Sequence, residues 1–595
     1  MKWHFVNPIN NDESYKNMNN FRRTVLASVI NIALFGITDV QAADTEALEK
    51  RIRELESRLT KMDQLEARLE KLDKAGLLSA QPTAPAAAPA ASAPSPEVVK
   101  LTRKVNTLER KLEIQDEVTT GALQKLPVFE AGADGFKISS SDKKHQLRIG
   151  STIQTDYRNF LGDNSAVWTP SNATASVATN GTSTNGWYNG AGPDSIFLRQ
   201  ARIILEGYVF KDIYFKIMPD FAQTTSGNYL PDAYVDYAYA PQASLLVGKY
   251  KPSIGLERLQ SDTNTVFLER AFPTNLAPNR DMGIQVHGGF AMPGYKAETA
   301  PGPIDSKNAF TYQVGITDGT GDSGNAYGYG APTNNNSSTA FANNKEFDGR
   351  LFAQPFQHSG YAWLEGFGVG VSGSFSNPDH QAIQAQKTPL GQSQFVDYYS
   401  LKTQVQGGTT AGRTITADGN SNRIYPQAYW YKGSFGLMGE YVASTQRLSA
   451  SGTATLPAYR GVNNITQTNK AAQVQVSYVV TGEDNTFEGV KPMRNFDPLK
   501  GSWGALQLAA RWSELTVDSD TFLLLDPTKT ASKAAAFTVG ANWFLNKNAL
   551  IRFDFENVSF TGGAGTRTGS RANPVYHVTN RPGEQVLSTR FQLAF

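Results

Sequence analysis

Lysine and arginine recur in this chain where an alternating strand would turn them all to one side, an arrangement that can bind or sort anions. Arg202, Lys249, Lys251, Arg350 and Arg511 fall in segments of period-two alternation, and Arg258, Arg270 and Arg280 lie between Pro252 and Asp281. A guanidinium offers a planar fork of donors for two oxygens of a phosphate or carboxylate, whereas an ammonium is a compact point charge. Catalysis has a poorer basis. The six histidines (His4, His145, His287, His358, His380, His577) are scattered without paired-His metal spacing, and there are no cysteines. There is no nucleophile elbow or acid pair in context, and the glycine motifs sit in strands and loops rather than at a strand-to-helix turn. No enzyme activity, cofactor or metal is expected, and a net charge of +2 gives no ground for a nucleic-acid partner.

The elements that carry these cations must be strands. After the first forty residues no apolar run approaches the roughly 20 residues of a spanning helix, and mean hydropathy is -0.38. Phe (32), Tyr (24) and Gly (52) are plentiful and charged residues make up 18% of the 595, which suits many strands joined by glycine-rich turns. Alternation is clear in Leu147, Ile149, Ile153 and Tyr157 against Gln146, Arg148, Gln154 and Asp156. Sixteen such segments follow Pro127, near 145–158, 195–210, 212–222, 232–241, 243–252, 281–291, 308–317, 346–356, 366–376, 421–431, 434–444, 471–481, 503–513, 536–546, 549–560 and 584–595. Mostly long polar links follow the odd-numbered segments and tight ones follow most even-numbered ones, with exceptions after the sixth, eighth and twelfth. An even strand count with long loops on one rim and turns on the other predicts a closed antiparallel transmembrane barrel of an outer membrane. One strand face is almost free of charge (Val474, Val476, Tyr478; Leu506, Leu508, Trp512), as contact with lipid requires, and the last segment ends in Phe595.

The first 126 residues are of another kind. Arg22 and Arg23, an apolar run from Thr24 to Thr38 and small residues at Val40-Gln41-Ala42 read as a signal peptide over 1–43. Leu48, Ile52, Leu55, Leu59, Met62, Leu65, Leu69 and Leu72 form a coiled-coil seam over 44–78, repeated by Val98, Leu101, Val105, Leu108 and Leu112 over 98–126. The Ala/Pro-rich stretch 79–97 is the linker between them, and 127–595 is the barrel domain. The alternative is that each helical piece docks singly on something else. A coiled coil here would lie on the periplasmic side of the barrel and could meet a periplasmic or cell-wall partner.

Inside the barrel, eleven Lys/Arg (Arg148, Arg158, Arg202, Lys216, Lys249, Lys251, Arg350, Arg423, Arg511, Arg552, Arg590) face eight Asp/Glu (Asp156, Glu206, Asp220, Asp236, Asp348, Glu440, Asp554, Glu556). The excess is slight, and pairing along a solvated wall would account for any one of them. The segment Pro252 to Asp281 carries Phe267, Phe272, Pro273 and Pro278 among its charges, so it packs on something. Folded inward it would bring its arginines to the channel; folded outward it would form a subunit contact.

The run Val247-Gly-Lys-Tyr-Lys-Pro-Ser-Ile-Gly-Leu-Glu257, then Phe267-Leu-Glu-Arg270, resembles the fifth strand and third loop of the phosphate-selective porin O and P family. Leu198-Arg-Gln-Ala-Arg202, Gly439-Glu-Tyr441, Ala509-Ala-Arg-Trp-Ser513 and Asn542-Trp-Phe-Leu-Asn546 match in the family's order. The resemblance implies a homotrimer of sixteen-stranded barrels, each narrowed by an inward third loop, passing phosphate or polyphosphate. It would make Lys249 and Lys251 the strand lysines, and Arg258, Arg270 and Arg280 the loop arginines. Glu257 and Glu269 sit beside those arginines, so a general porin or one for carboxylates or sugars is a second reading. A barrel that anchors a periplasmic coiled-coil tether is a third, of a different class.

Overall fold

In the computed structural model the described residues are 126–595, except 162–165, 168–187, 190–193, 223–229, 304–306, 320–344, 380, 397, 399–413, 452–461 and 570–573, together with Arg103, Asn106, Thr107, Arg110 and Lys111. The chain divides into two units, Met1–Arg110 and Lys111–Phe595. The five early residues are helical. The signal peptide, the first coiled coil, the linker and the remainder of the second helical segment lie outside the described residues.

Sixteen strands of the second unit make a closed antiparallel barrel. They are β1 (Gln146–Phe160), β2 (Ser195–Val209), β3 (Ile213–Met218), β4 (Asp232–Ala240), β5 (Ala243–Tyr250), β6 (Asp281–Phe290), β7 (Phe310–Thr317) and β8 (Glu346–Ala353). The second half is β9 (Phe367–Ser376), β10 (Thr414–Lys432), β11 (Phe435–Ser451), β12 (Asn464–Val479), β13 (Ala505–Thr516), β14 (Ala531–Phe544), β15 (Ala549–Gly569) and β16 (Glu584–Ala594). Each pairs with its sequence neighbour, and β16 closes on β1 with Leu593 opposite Ile153. No edge is left in the spanning band, so every backbone amide there has a partner.

All sixteen expected segments are strands. Their loop-side ends differ: β10, β12 and β14 begin earlier than the alternation suggests, and β11 and β15 run on further. The reason is visible in β12. Val474, Val476 and Tyr478 face outward and are exposed, while Gln473, Gln475 and Ser477 face inward and are buried. Towards the loop rim the same outward parity carries Asn464, Thr466, Thr468 and Lys470. There the outward face is polar while the inward face (Ile465, Gln467, Asn469, Ala471) stays buried, so the ladder continues without an outward apolar stripe to mark it.

Two of the three irregular links on the turn rim fold back inward. In the link after β12, Asn485–Thr486 pairs with Gly489–Val490 as a small hairpin, and Phe487 stacks on Tyr429 of the wall at 5.3 Å. In the link after β6, Gly302 N donates to Asp236 at 2.7 Å. A further hairpin, Val128–Gly132 with Gly135–Ser139, pairs with the start of β1 where β16 has run out. Phe595 is thereby enclosed, exchanging backbone hydrogen bonds with Ser151.

The outward parity yields a direct test. Val476→Arg puts a charge on the lipid face and is expected to cost about 2–4 kcal/mol near the bilayer centre. Urea unfolding of the barrel in lipid vesicles measures it, and a negligible cost would place Val476 away from lipid.

Candidate functional site: an inward loop and a basic vestibule

The chain leaves β5 after Tyr250 and rejoins the wall at Asp281. A connector of that length inside a barrel needs a partner for each buried N–H and C=O. A short helical turn, Leu256–Leu259, and a 3-10 turn, Phe272–Leu276, supply few of their own. Side chains of the wall supply many more. Gln592 donates to Thr263 O at 3.1 Å, Asn542 to Val266 O at 2.8 Å and Arg552 to Phe267 O at 3.0 Å. Arg590 donates to Leu268 O at 2.7 Å and Arg511 to Glu269 O at 2.9 Å. Wall carboxylates accept the loop's N–H groups: Asp348 from Ser253 at 3.1 Å, Glu440 from Leu256 at 2.6 Å and Asp554 from Leu268 at 2.7 Å. Ile254, Leu256, Phe267 and Phe272 are fully buried, which explains the apolar content of this segment. The loop after β9 also enters the lumen, where Leu390, Phe395 and Val396 are buried.

Asp262 is the electrostatic centre of the third loop. Arg202 pairs with it closely, Arg270 lies at 2.6 Å, Lys251 at 3.2 Å and Arg280 at 3.6 Å. Burial would raise its carboxyl, but these cations overcome that and hold it well below the usual carboxylate range. Arg202 also binds Asp220 at 2.7 Å, and Arg280 binds Asp232 at 2.7 Å. Glu269 is gripped by both edges of Arg199, at 2.7 and 3.1 Å. Against the opposing effect of its burial, Arg199 leads in holding it down at about 2.

These pairings change the expected roles of the cations. Of the eight candidates, Arg202, Lys249, Lys251, Arg280, Arg350 and Arg511 are buried, and Arg258 and Arg270 are half-buried. Arg258 donates to Asn279 at 2.9 Å and Thr274 O at 3.0 Å, and Arg270 donates to the loop carbonyls of Glu257 and Gln260. Arg350 lies over the Phe352 ring at 4.4 Å, and Arg511 lies over Phe267 at 4.4 Å and pairs with Glu257 at 3.3 Å. Lys249 corrects the sequence phasing. It stands opposite Ala233 and Met282, on the outward parity of exposed Val247, whereas Lys251 has already left the strand and joins the loop cluster. The loop and wall cations thus meet one another's carboxylates and the loop's own carbonyls.

Between the third loop and the turn rim lies a cavity of about 780 Å³. Its walls are the loop's underside from Leu259 to Val266, the inward hairpin after β12, the β14–β15 turn and Ala133–Asp134. Eight basic residues line it (Arg148, Arg202, Lys216, Lys251, Arg280, Lys491, Lys547, Arg552) against five acidic ones (Asp134, Glu206, Asp232, Asp262, Glu488). Arg148 bonds Glu206 at 2.6 Å and Lys547 bonds Asp134 at 2.9 Å, yet each cation's side chain is 40% exposed. Lys216 is looser, at 3.8 Å from Glu206 and 3.9 Å from Asp232. Lys491 and Lys547 escaped the sequence reading because they sit in links, where no alternation assigns a direction.

Removing the centre of the cluster gives an expected outcome. Asp262→Asn leaves several buried cations short of a counter-charge and should cost about 3–5 kcal/mol, as broken buried pairs do. Single-channel recording should then show a wider or noisier pore, and a conductance equal to the parent's would contradict the role of Asp262. Because the folded carboxyl titrates below its ordinary 3.8, its stabilisation is complete above that value and fades as pH falls through the lowered one. Conductance of the parent should therefore show no loop release between pH 8 and pH 5.

No curated protein matches the sequence. Among solved structures, the chain is similar to outer-membrane expressed OmpT of Vibrio cholerae (10% identity, TM-score 0.41, covering 76% of this chain and 98% of that one). It is also similar to the outer membrane channel DcaP of Acinetobacter baumannii (10%, TM-score 0.39, 76% and 97%) and to an anion-selective porin from Comamonas acidovorans (9%, TM-score 0.38, 76% and 100%). Residues 185–595 match the model of one family, described as phosphate-selective porin O and P. A match over most of the chain, on a closed sixteen-stranded barrel with an apolar outer face, makes this protein an outer-membrane porin of the phosphate-selective porin O and P family.

Proposed function

We propose that this porin lets small anions diffuse passively across the outer membrane, with phosphate and polyphosphate as the preferred class. The observation that carries this reading is the vestibule, where Lys and Arg outnumber Asp and Glu by three. A water-filled space with low-dielectric walls focuses such an excess and raises the local concentration of counter-ions. Its more open cations, Arg148, Lys216, Lys491 and Lys547, combine a fork with point charges, which suits tetrahedral oxyanions in motion better than a rigid bidentate clamp. The family and the fold are those of a channel rather than an enzyme.

Two further elements belong to this reading. Three copies side by side would form the working unit, as the family resemblance implies. The N-terminal coiled coil would lie on the periplasmic side, because β1 begins at the rim that carries the short turns.

Planar-bilayer recording across a salt gradient tests the reading. The reversal potential should report anion preference, and a clear cation preference would overturn it. Millimolar phosphate should then reduce chloride current more than sulfate, dicarboxylates or sugars do. Equal competition by all of them would leave a general porin in its place.

A further inference from the structure

Asp554 and Glu556 read from the sequence as two pore-lining anions, two residues apart on the inward face of β15. The structure gives each a different loop. Asp554 Oδ2 accepts from Leu268 N of the third loop at 2.7 Å, and Glu556 Oε1 accepts from Leu390 N of the loop after β9 at 2.8 Å. The side chains of Leu268 and Leu390 then meet in one buried cluster with Phe160 and Val586. Two more contacts join the same loops. Phe272 packs edge-on against Phe395 at 5.6 Å, and Asn275 Nδ2 donates to Lys387 O at 2.7 Å.

We propose that β15 hangs both inward loops as one gate, with Asp554 and Glu556 as positioning residues and the Leu268–Leu390 contact as the joint. Each carboxylate works here as an acceptor for a buried backbone N–H, a group that would otherwise have no partner in a dry packing. Arg511 ties the third loop to the support of the other, lying 3.3 Å from Glu257 of the third loop and 3.6 Å from Glu556. Thr538 Oγ1 donates to the second oxygen of Glu556 at 2.8 Å, which fixes the carboxylate plane. Two adjacent inward positions on one strand therefore set where two loops, whose contacting Leu268 and Leu390 are far apart in sequence, can sit. The inference adds regulation to the proposed porin function, in that a disturbance of either loop is felt by both.

The absence of cysteine permits a clean test on the full-length protein. Ala271 lies buried in the third loop and Ser393 lies buried in the loop after β9. Single replacements A271C and S393C would be probed with a water-soluble methanethiosulfonate reagent. Adding Glu556→Ala, whose lost hydrogen bond to Leu390 N lies in the loop after β9, is expected to speed modification at both probes by roughly tenfold, the worth of one hydrogen bond to a charged group. Glu556→Gln keeps an acceptor and should stay within about twofold of the parent at both probes. Faster modification at S393C alone would show that the loops move independently and would overturn the proposal. So would a Glu556→Gln rate as fast as that of Glu556→Ala, or no change at either probe. If Glu556→Ala does not assemble, Leu390→Ala tests the joint from its other side and should speed A271C. Labelling rates do not depend on ion preference, so a cation-selective current would overturn the functional reading and leave this one standing.

Discussion

A loop inside a β-barrel is a liability, because its irregular backbone leaves the water that would satisfy it and has no strand to pair with. The third loop solves this with side chains. Arg511, Arg552, Arg590, Asn542 and Gln592 point inward from β13 to β16 and donate to successive loop carbonyls, while Asp348, Glu440 and Asp554 accept its N–H groups. The wall behaves as a second strand made of side-chain tips. This constraint fixes the path of the loop, and the path of the loop fixes the shape of the lumen.

It also decides where charge is available. Arg511, Arg552 and Arg590 are among the most deeply buried large side chains, and they serve loop carbonyls. Around Asp262 four more cations share one carboxylate, with Asp220 and Asp232 completing the balance. Buried charges survive only when paired and hydrogen-bonded in this way. What remains for a solute is the surplus on the turn side, where Arg148, Lys216, Lys491 and Lys547 keep part of their surface in water. On the proposed reading, the loop arginines are the frame of the channel and the vestibule carries its field.

The architecture was largely legible in the sequence, and its limits have physical causes. Sixteen strands could be found because lipid on one face and solvent on the other force an alternation of period two. That signal stops at the membrane boundary, which is why the loop-side ends of β10, β11, β12, β14 and β15 were placed short. That the third loop packs on something was legible in Phe267, Phe272 and its prolines, but its direction was not. Nor were its partners, since Arg511 and Glu257 lie 254 positions apart and only the closed barrel brings them together. Lys249 was misphased because a strand residue and a loop residue, Lys249 and Lys251, were read as one alternation across the end of β5. The triplet Arg552, Asp554 and Glu556 held a usable hint, as three ionisable groups on one inward face are costly unless something large lies against them.

Reversal potential across a salt gradient, measured on a channel with Lys216, Lys491 and Lys547 all changed to Gln, tests most directly whether the vestibule carries the field. None of the three pairs with Asp262, and Asp232 keeps its closer partner Arg280 when Lys216 is changed, so the pore should keep its conductance class. Anion preference should fall to near zero, since the three replacements remove the whole basic excess of the cavity. Undiminished anion preference in that triple variant would contradict the account and return selectivity to the arginines of the third loop.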